Sequence, residues 1–272
     1  MALAKAGFVL GIKPVDVLRP HEETIPEHVR GLAAEMLRDG VQKDPIIIDQ
    51  ESATVLDGMH RLAAFRHLGL ENAVCCSVDY SSKAVTVGRW ARVYEVAAGD
   101  SVPGFLSTFG ITRRATLAEA FDALDNKDTA LAALTSGAAY LPEKKMELVQ
   151  AIDVVKGFDG DSKARRWGRR FVPEDDLDIP LQSEGVLVIL VRRLGKDDVV
   201  AAGRSGKLLP CKTSMHRIDP RPVAVRFPLK DLNGATTETL RKSLGREESI
   251  LPPDSLYEGR RYKERLLVLS QR

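Results

Sequence analysis

The run Asp57-Gly58-Met59-His60-Arg61 carries the clearest chemistry in the chain. It follows Thr54-Val55-Leu56, which reads as a buried strand, and leads directly into a helical stretch from Leu62 to Leu68. A strand that ends in Asp-Gly and opens a helix gathers backbone N–H groups and the positive end of the helix dipole in one small space, which makes a cradle for an anion. Gly58 lets a phosphate approach the backbone, His60 and Arg61 can donate to its oxygens, and Asp57 can hold a divalent cation or orient an acceptor hydroxyl. The plainer alternative has Asp57 capping the helix and Arg61 laying its stem on the surface. An isolated Asp-Gly turn favours that alternative.

Elements on either side must position this run. Pro26-Glu27 opens a helix with apolar residues at Val29, Leu32, Ala33, Met36 and Leu37, and Gly40 stops it. Ile46-Ile47-Ile48-Asp49 reads as a buried strand, Gly69 caps the helix that follows Arg61, and Ala73 to Val78 is a third strand. Trp90 lies in a mixed apolar and basic stretch with a weaker pattern. Further on, apolar spacing predicts helices over Ala115–Leu134 and Glu143–Val155, the second ended by Gly157, Gly160 and Asp161, and hence a helical subdomain. Strands are expected at Gly185–Val191, Val199–Ala202, Leu208–Pro210 and Val223–Leu229, then a helix from Thr237 to Leu244 and a strand at Leu266–Leu269.

The bulk composition narrows the classes. With 272 residues, 44% hydrophobic and 29% charged, the chain can bury a sizeable core. A formal net charge of +2 supplies no global field for gathering nucleic acid or an anionic membrane, so any anion site must be local. Of the three cysteines, Cys75 and Cys76 are adjacent in a strand and point to opposite faces, which argues against a disulfide framework and fits the reducing cytosol. They also lack the spacing of a zinc site. The opening MALAKAGFVLGIKP has only a short apolar stretch, and no later run approaches a membrane span, so a cytoplasmic protein without a targeting segment is expected. The most basic run, Lys163 to Arg170, is followed by Glu174-Asp175-Asp176-Leu177-Asp178, and the two are expected to neutralise one another.

The whole stretch from Val15 to Tyr80, with VLRPHEETIPEHVRGLAAEMLRDGVQKDPIIID upstream of VLDGMHRLAAFRHLGL, resembles the ParB/sulfiredoxin superfamily. Its Pro20-His21-Glu22 string and D-G-x-H-R form are most similar to the free serine kinases, which transfer phosphate from ADP or ATP to the hydroxyl of L-serine. The resemblance implies an α/β fold, with a ParB/sulfiredoxin-like nucleotide-binding domain at 1–92 and a mixed α+β region at 93–272. It implies Glu22 as general base, Asp57 and His60 as its catalytic companions with Mg²⁺ at Asp57, and nucleotide contacts from Asp57, Gly58, Met59, His60, Arg61 and Trp90. Glu22 and Glu23 have a plainer reading as acids complementing the dipole of the helix at Pro26.

A second segment, GKLLPCKTSMHRIDPRPVAVRFPLKDL, is similar to the kinases' C-terminal motif, here at 207–217. Carried over, Lys212 neutralises phosphate, Thr213 and Ser214 hydrogen-bond phosphate or the amino acid, and His216 completes the pocket. An ordinary hairpin with solvated polar residues is the plainer reading. Met215 departs from the pattern, which has arginine there, and Arg217 is two residues on, on the same face of a strand, where it could reach back. Met59 stands where sulfiredoxins carry cysteine, and a thioether cannot do thiolate chemistry. The ParB branch implies the alternative, a DNA-binding transcriptional regulator with a nucleotide switch, which needs a helix-turn-helix that only Ala115–Leu134 could be taken for. The expected partners are therefore a nucleotide and a free amino acid, with no membrane and no nucleic acid, and the expected product is O-phospho-L-serine. ADP and ATP present the same terminal phosphate chemistry, so the sequence does not separate them.

Overall fold

In the computed structural model, which describes residues 3–5 and 7–271, the chain opens with strands β1 (Leu3–Lys5) and β2 (Phe8–Pro14), helix α1 (Pro26–Asp39) and strand β3 (Val41–Gln42). Strands β4 (Ile46–Asp49) and β5 (Val55–Asp57), helix α2 (Met59–His67) and strand β6 (Asn72–Val78) follow. Part of the MALAKAGFVLGIKP opening, residues 1, 2 and 6, lies outside the described residues. These strands form a sheet in the order β1-β2-β6-β4-β5, with β4 parallel to β6 and β5 antiparallel to β4 on the edge. Every residue of β4 is buried, as a strand covered on both faces requires. Helix α1 starts at Pro26, whose fixed φ suits a first turn, and buries Val29, Ala33 and Met36 along one stripe. It stops at Gly40, whose φ of 66° lets its N–H return to the Met36 carbonyl. In β6, Cys75 and Cys76 are wholly buried, and burial pushes the Cys75 thiol up to about 12 and the Cys76 thiol up as well, so neither is a thiolate at neutral pH.

The next stretch holds β7 (Val85–Glu95), α3 (Val102–Ser107), β8 (Ile111–Ala115), α4 (Leu117–Asp125), β9 (Leu131–Leu134), β10 (Ala139–Pro142), α5 (Leu148–Ala164), β11 (Gly168–Pro173), α6 (Asp178–Gln182) and β12 (Val186–Val191). Its strands make a sheet in the order β11-β7-β12-β9-β10-β8, so the expected helical subdomain is a sheet with helices on both faces. In β12, Leu187, Ile189 and Val191 join the core with Phe105 and Phe158, while Val188 and Leu190 join the other core with Ala120 and Leu124. The helix expected over Ala115–Leu134 is replaced by the end of β8, the short α4 and β9. Thr116 and Glu119 form a capping box that starts α4, and Lys127, with φ of 60°, lies in the turn beyond its end. Leu131-Ala-Ala-Leu134 is apolar throughout and carries no period that tells a buried strand from a buried helix. Gly157, Gly160 and Asp161 lie inside α5 and do not end it. Gly157 is there for space, since a β-carbon would sit 2.8 Å from the Phe109 ring.

The remaining chain forms α7 (Lys196–Ser205), β13 (Ser214–Ile218), β14 (Arg221–Val223), β15 (Phe227–Pro228), α8 (Thr237–Ser243), β16 (Leu244–Leu251), β17 (Leu256–Tyr257), β18 (Arg260–Arg261) and β19 (Leu266–Gln271). Val199–Ala202, expected as a strand, belongs to α7, whose acids Asp197 and Asp198 sit in the first turn and Arg204 in the last, as the helix dipole favours. Leu208–Pro210 is not a strand, although Leu209 makes a single bridge to Glu22. The strand expected over Val223–Leu229 is broken by Ala224 and Arg226, whose φ values of 61° and 42° lie outside extended backbone. Two compact units result, one of Met1–Thr86, Lys196–Cys211 and His216–Arg272, the other of Val87–Gly195 and Lys212–Met215. Among the described residues no helix is long and apolar enough to cross a membrane.

Gln42 stitches the first unit. Fully buried, it donates to the Val74 carbonyl at 2.8 Å and the Asp44 carbonyl at 3.0 Å and accepts from the Val74 N–H at 2.8 Å, so its amide stands in for strand backbone beside β6. Gln42→Leu orphans both polar groups of Val74 and should cost about 3 kcal/mol of stability, read by denaturant unfolding.

Candidate active site

Asp57 closes β5, and Gly58 is the N-cap of α2 with φ of 98° and ψ of 27°. Only glycine suits this position, because φ is positive and a β-carbon would lie 3.2 Å from Arg61 Nε. A glycine N-cap brings no side-chain acceptor to the first turn, the arrangement that anionic ligands exploit. Arg61 does not lie on the surface. It curls back so that Nη2 donates to Asp57 Oδ2 at 2.7 Å and Nη1 to the Pro45 carbonyl at 2.8 Å. His60 Nε2 accepts from the Ile25 N–H at 3.1 Å, which ties the start of α2 to the start of α1 and puts the hydrogen of the neutral ring on Nδ1. Met59 is buried. Beside Arg61 opens a cavity of about 950 Å³ whose walls include Leu32, Met36, Asp44, Arg260 and Tyr262.

Glu22 is only 6% exposed. Its backbone is held on two sides: Leu209 N–H donates to His21 O at 2.9 Å and Glu23 N–H to Leu209 O at 2.8 Å, while upstream the Val55 N–H donates to Arg19 O at 2.9 Å. Arg66 of α2 donates to the Leu18 carbonyl at 2.9 Å. The acid in the first turn of α1 is Glu27, so dipole complementarity does not account for Glu22. His21 Nδ1 donates to the Val55 carbonyl at 2.7 Å, and its Nε2 lies 3.7 Å from Glu22 Oε1. Burial holds the His21 pKa below its ordinary value although Glu22 and the Val55 carbonyl pull the other way.

His216 is packed edge-on against His21 at 5.5 Å and shares a 2.7 Å hydrogen bond with the Tyr80 hydroxyl. Burial first, and then His21, push its pKa well below 6.5, so it is neutral at pH 7 and offers a hydrogen bond rather than a charge. The sequence reading passed over Arg221. This residue is 3% exposed, its Nη1 lies 3.3 Å from Asp57 Oδ2, its Nη2 donates to the His216 carbonyl at 2.6 Å, and its Nε donates to Glu264. Burial works against its charge, but Asp57 and Glu264 outweigh it and hold the guanidinium above its ordinary pKa. The signal was an arginine between Pro220 and Pro222 at the head of an apolar strand, where a charge needs a buried partner. Glu22, Asp57, Gly58, Met59, His60, Arg61 and His216 thus all belong to the first unit.

Trp90, Lys212, Thr213 and Ser214 belong to the second. Lys212 has φ of 59°, and its ammonium stands 4.6 Å from the centroid of the Trp90 ring. Thr213 and Ser214 are buried. Met215 packs on Gly88, where a β-carbon would come within 3.1 Å of its methyl carbon. Arg165 of the basic run pairs with Asp100 and Arg169 with Asp159, while Glu174 of the acidic string takes Arg89 and Arg193.

This geometry has relatives. A ParB-like protein of Sulfolobus acidocaldarius is 39% identical over 92 residues, 34% of this chain and 45% of that protein. An ATP-dependent L-serine kinase of Staphylothermus marinus is 34% identical over 80 residues, 28% of this chain and 32% of that protein. The chain thus spans less than half the length of the curated relatives it matches. A solved free serine kinase in complex with AMP superposes with a TM-score of 0.67 at 20% identity, over 85% of this chain and 96% of that one. The chain has the fold of the free serine kinases. The α/β architecture expected from the ParB/sulfiredoxin resemblance is therefore present, in its free serine kinase form. No family model matches the chain.

Two outcomes follow from the buried charges. Arg221→Met strands Glu264 and takes one guanidinium from Asp57, which keeps Arg61, and should cost about 3 to 5 kcal/mol in denaturant unfolding; Arg221→Lys should recover little, since an ammonium cannot reproduce the fork. For His216 the folded pKa lies below the unfolded 6.5, so the unfolded state takes up the proton first. Stability is therefore full above about pH 6.5 and falls as the pH drops below it. Unfolding free energies at a series of pH values should show this slope, and His216→Gln should flatten it.

Proposed function

We propose that the chain is a small-molecule kinase that moves a phosphoryl group from ADP or ATP to the hydroxyl of a free amino acid, L-serine, giving O-phospho-L-serine. The observation that carries this reading is the glycine-capped start of α2, flanked by Asp57 and Arg61, in a fold that also holds AMP in a free serine kinase. Terminal phosphates take the α2 N-terminus with Arg61 and the Nδ1–H of His60 as donors. The cavity beside Arg61 is of a size to take the nucleoside. Glu22, the buried carboxylate, accepts the proton of the acceptor hydroxyl as its oxygen attacks the terminal phosphorus, and the bond to the departing nucleotide oxygen breaks. Lys212, Thr213 and Ser214 contact phosphate or the amino acid through the motif they carry, with His216 as a neutral hydrogen-bonding support.

Among the described residues no group of three or more His, Cys, Asp or Glu side chains could hold a metal. Mg²⁺ that arrives on nucleotide phosphates needs only one or two carboxylates, and Asp57 fits that demand. Bound there, it would neutralise phosphate charge. The reading also places the protein in the cytoplasm, which suits three free cysteines.

Phosphorus NMR with Mg²⁺, ADP or ATP, and L-serine, L-threonine, L-homoserine or ethanolamine in turn should show a new phosphomonoester with serine. Glu22→Gln should lower kcat about a hundredfold or more while nucleotide still binds. Asp57→Asn should also abolish turnover. Wild-type rates in both variants would remove the site assignment. Nucleotide binding with no phosphomonoester from any acceptor, together with salt-sensitive binding to DNA, would replace the kinase by a nucleotide-switched regulator.

A further inference from the structure

Strand β7 carries Trp90, Arg92 and Tyr94 at alternate positions, hence on one face of the sheet. Lys212 meets this row twice. Its ammonium stands 4.6 Å from the Trp90 ring centroid, and its carbonyl oxygen lies 3.5 Å from Arg92 Nη1. Arg92 is 1% exposed, and its Nε lies 3.4 Å from Asp159 Oδ2 on α5. The other oxygen of Asp159 accepts from the Tyr94 hydroxyl at 2.6 Å and pairs with Arg169 at 2.7 Å. Lys212 itself, with φ of 59°, occupies the left-handed region, which is unfavourable for a non-glycine residue and persists only where neighbours hold it.

We propose that Trp90, Arg92, Tyr94 and Asp159 are positioning residues that hold Lys212 in place, the ring fixing its ammonium and the Arg92–Asp159 pair fixing its backbone. The proposal rests on the reading of Lys212 as a phosphate ligand. Trp90 then acts through Lys212. The aromatic face attracts the ammonium without a hydrogen bond, so a phosphate can take it over, while the ring keeps the flexible four-carbon stem from wandering. The buried guanidinium keeps the carbonyl of Lys212 from turning, and Tyr94 and Arg169 keep Asp159 from leaving the guanidinium.

Limited acylation of the full-length protein with acetic anhydride, read at Lys212 by peptide mass spectrometry, tests the placement without needing activity. Calorimetric titration with ADP and Mg²⁺ tests its use. Trp90→Leu and Asp159→Asn should change Lys212 acylation severalfold relative to the other lysines and weaken ADP about tenfold, whereas Trp90→Phe should stay near wild type. Tyr94→Phe, which removes one hydroxyl and nothing else, should shift both readouts in the same direction and guards against loss of fold. Wild-type acylation in Asp159→Asn and Tyr94→Phe overturns the proposal, whereas altered acylation with unaltered ADP affinity upholds the placement and removes the phosphate reading of Lys212. Lys212→Met is the separate control: if it keeps full ADP affinity and phosphotransfer, the phosphate role of Lys212 fails, and the acylation result still decides whether the row holds the side chain.

Discussion

One carboxylate oxygen organises the first unit. Asp57 Oδ2 sits between the guanidinium of Arg61, 2.7 Å away, and that of Arg221, 3.3 Å away. Two positive groups this close need more than one negative charge, and Glu264, on Arg221 Nε, supplies the second. An arginine as buried as Arg221 persists as a cation only when so paired, and leaving either carboxylate alone would cost several kcal/mol. The turn into α2, the head of β14 and the residues before β19 are therefore committed to one place by charge. The direction of Arg61 is set by Asp57 and the Pro45 carbonyl.

A neutral layer lies next to this charged one. His21 and His216 pack edge to face, and burial keeps both below their ordinary pKa. His21 is hydrogen-bonded to the Val55 carbonyl and His216 to the Tyr80 hydroxyl. Glu22 emerges from this layer on a backbone clamped by Leu209, and so a carboxylate stands in a largely water-free setting without a cationic histidine to quench it.

The second unit solves a different problem. Its sheet is apolar on both faces, yet Arg89 and Arg92 of β7 are each 1% exposed. Alternate residues face opposite ways, so the two arginines go to different faces and need different acids: Glu174 for Arg89 and Asp159 for Arg92. Only the second of these pairs reaches the backbone of Lys212.

Local features were legible in the chain. The helix at Pro26 with its stop at Gly40, the Ile46–Asp49 strand, and the Asp57-Gly58 turn into α2 rest on proline and glycine backbone restraints and on short-range periodicity, which act within a few residues. Alanine-rich and fully apolar stretches were not legible, because Leu131–Leu134 and Val199–Ala202 satisfy strand and helix equally until neighbours choose. Residue type and spacing pointed to the strand-to-helix turn at 57–61, and only the family resemblance of the Pro20-His21-Glu22 string singled out the acid at position 22. Tertiary structure alone supplied Arg221, the neutrality of His216 and the row under Lys212, since each depends on which group from far along the chain fills a low-dielectric space, and neither burial nor a distant counter-charge is written in the residues on either side.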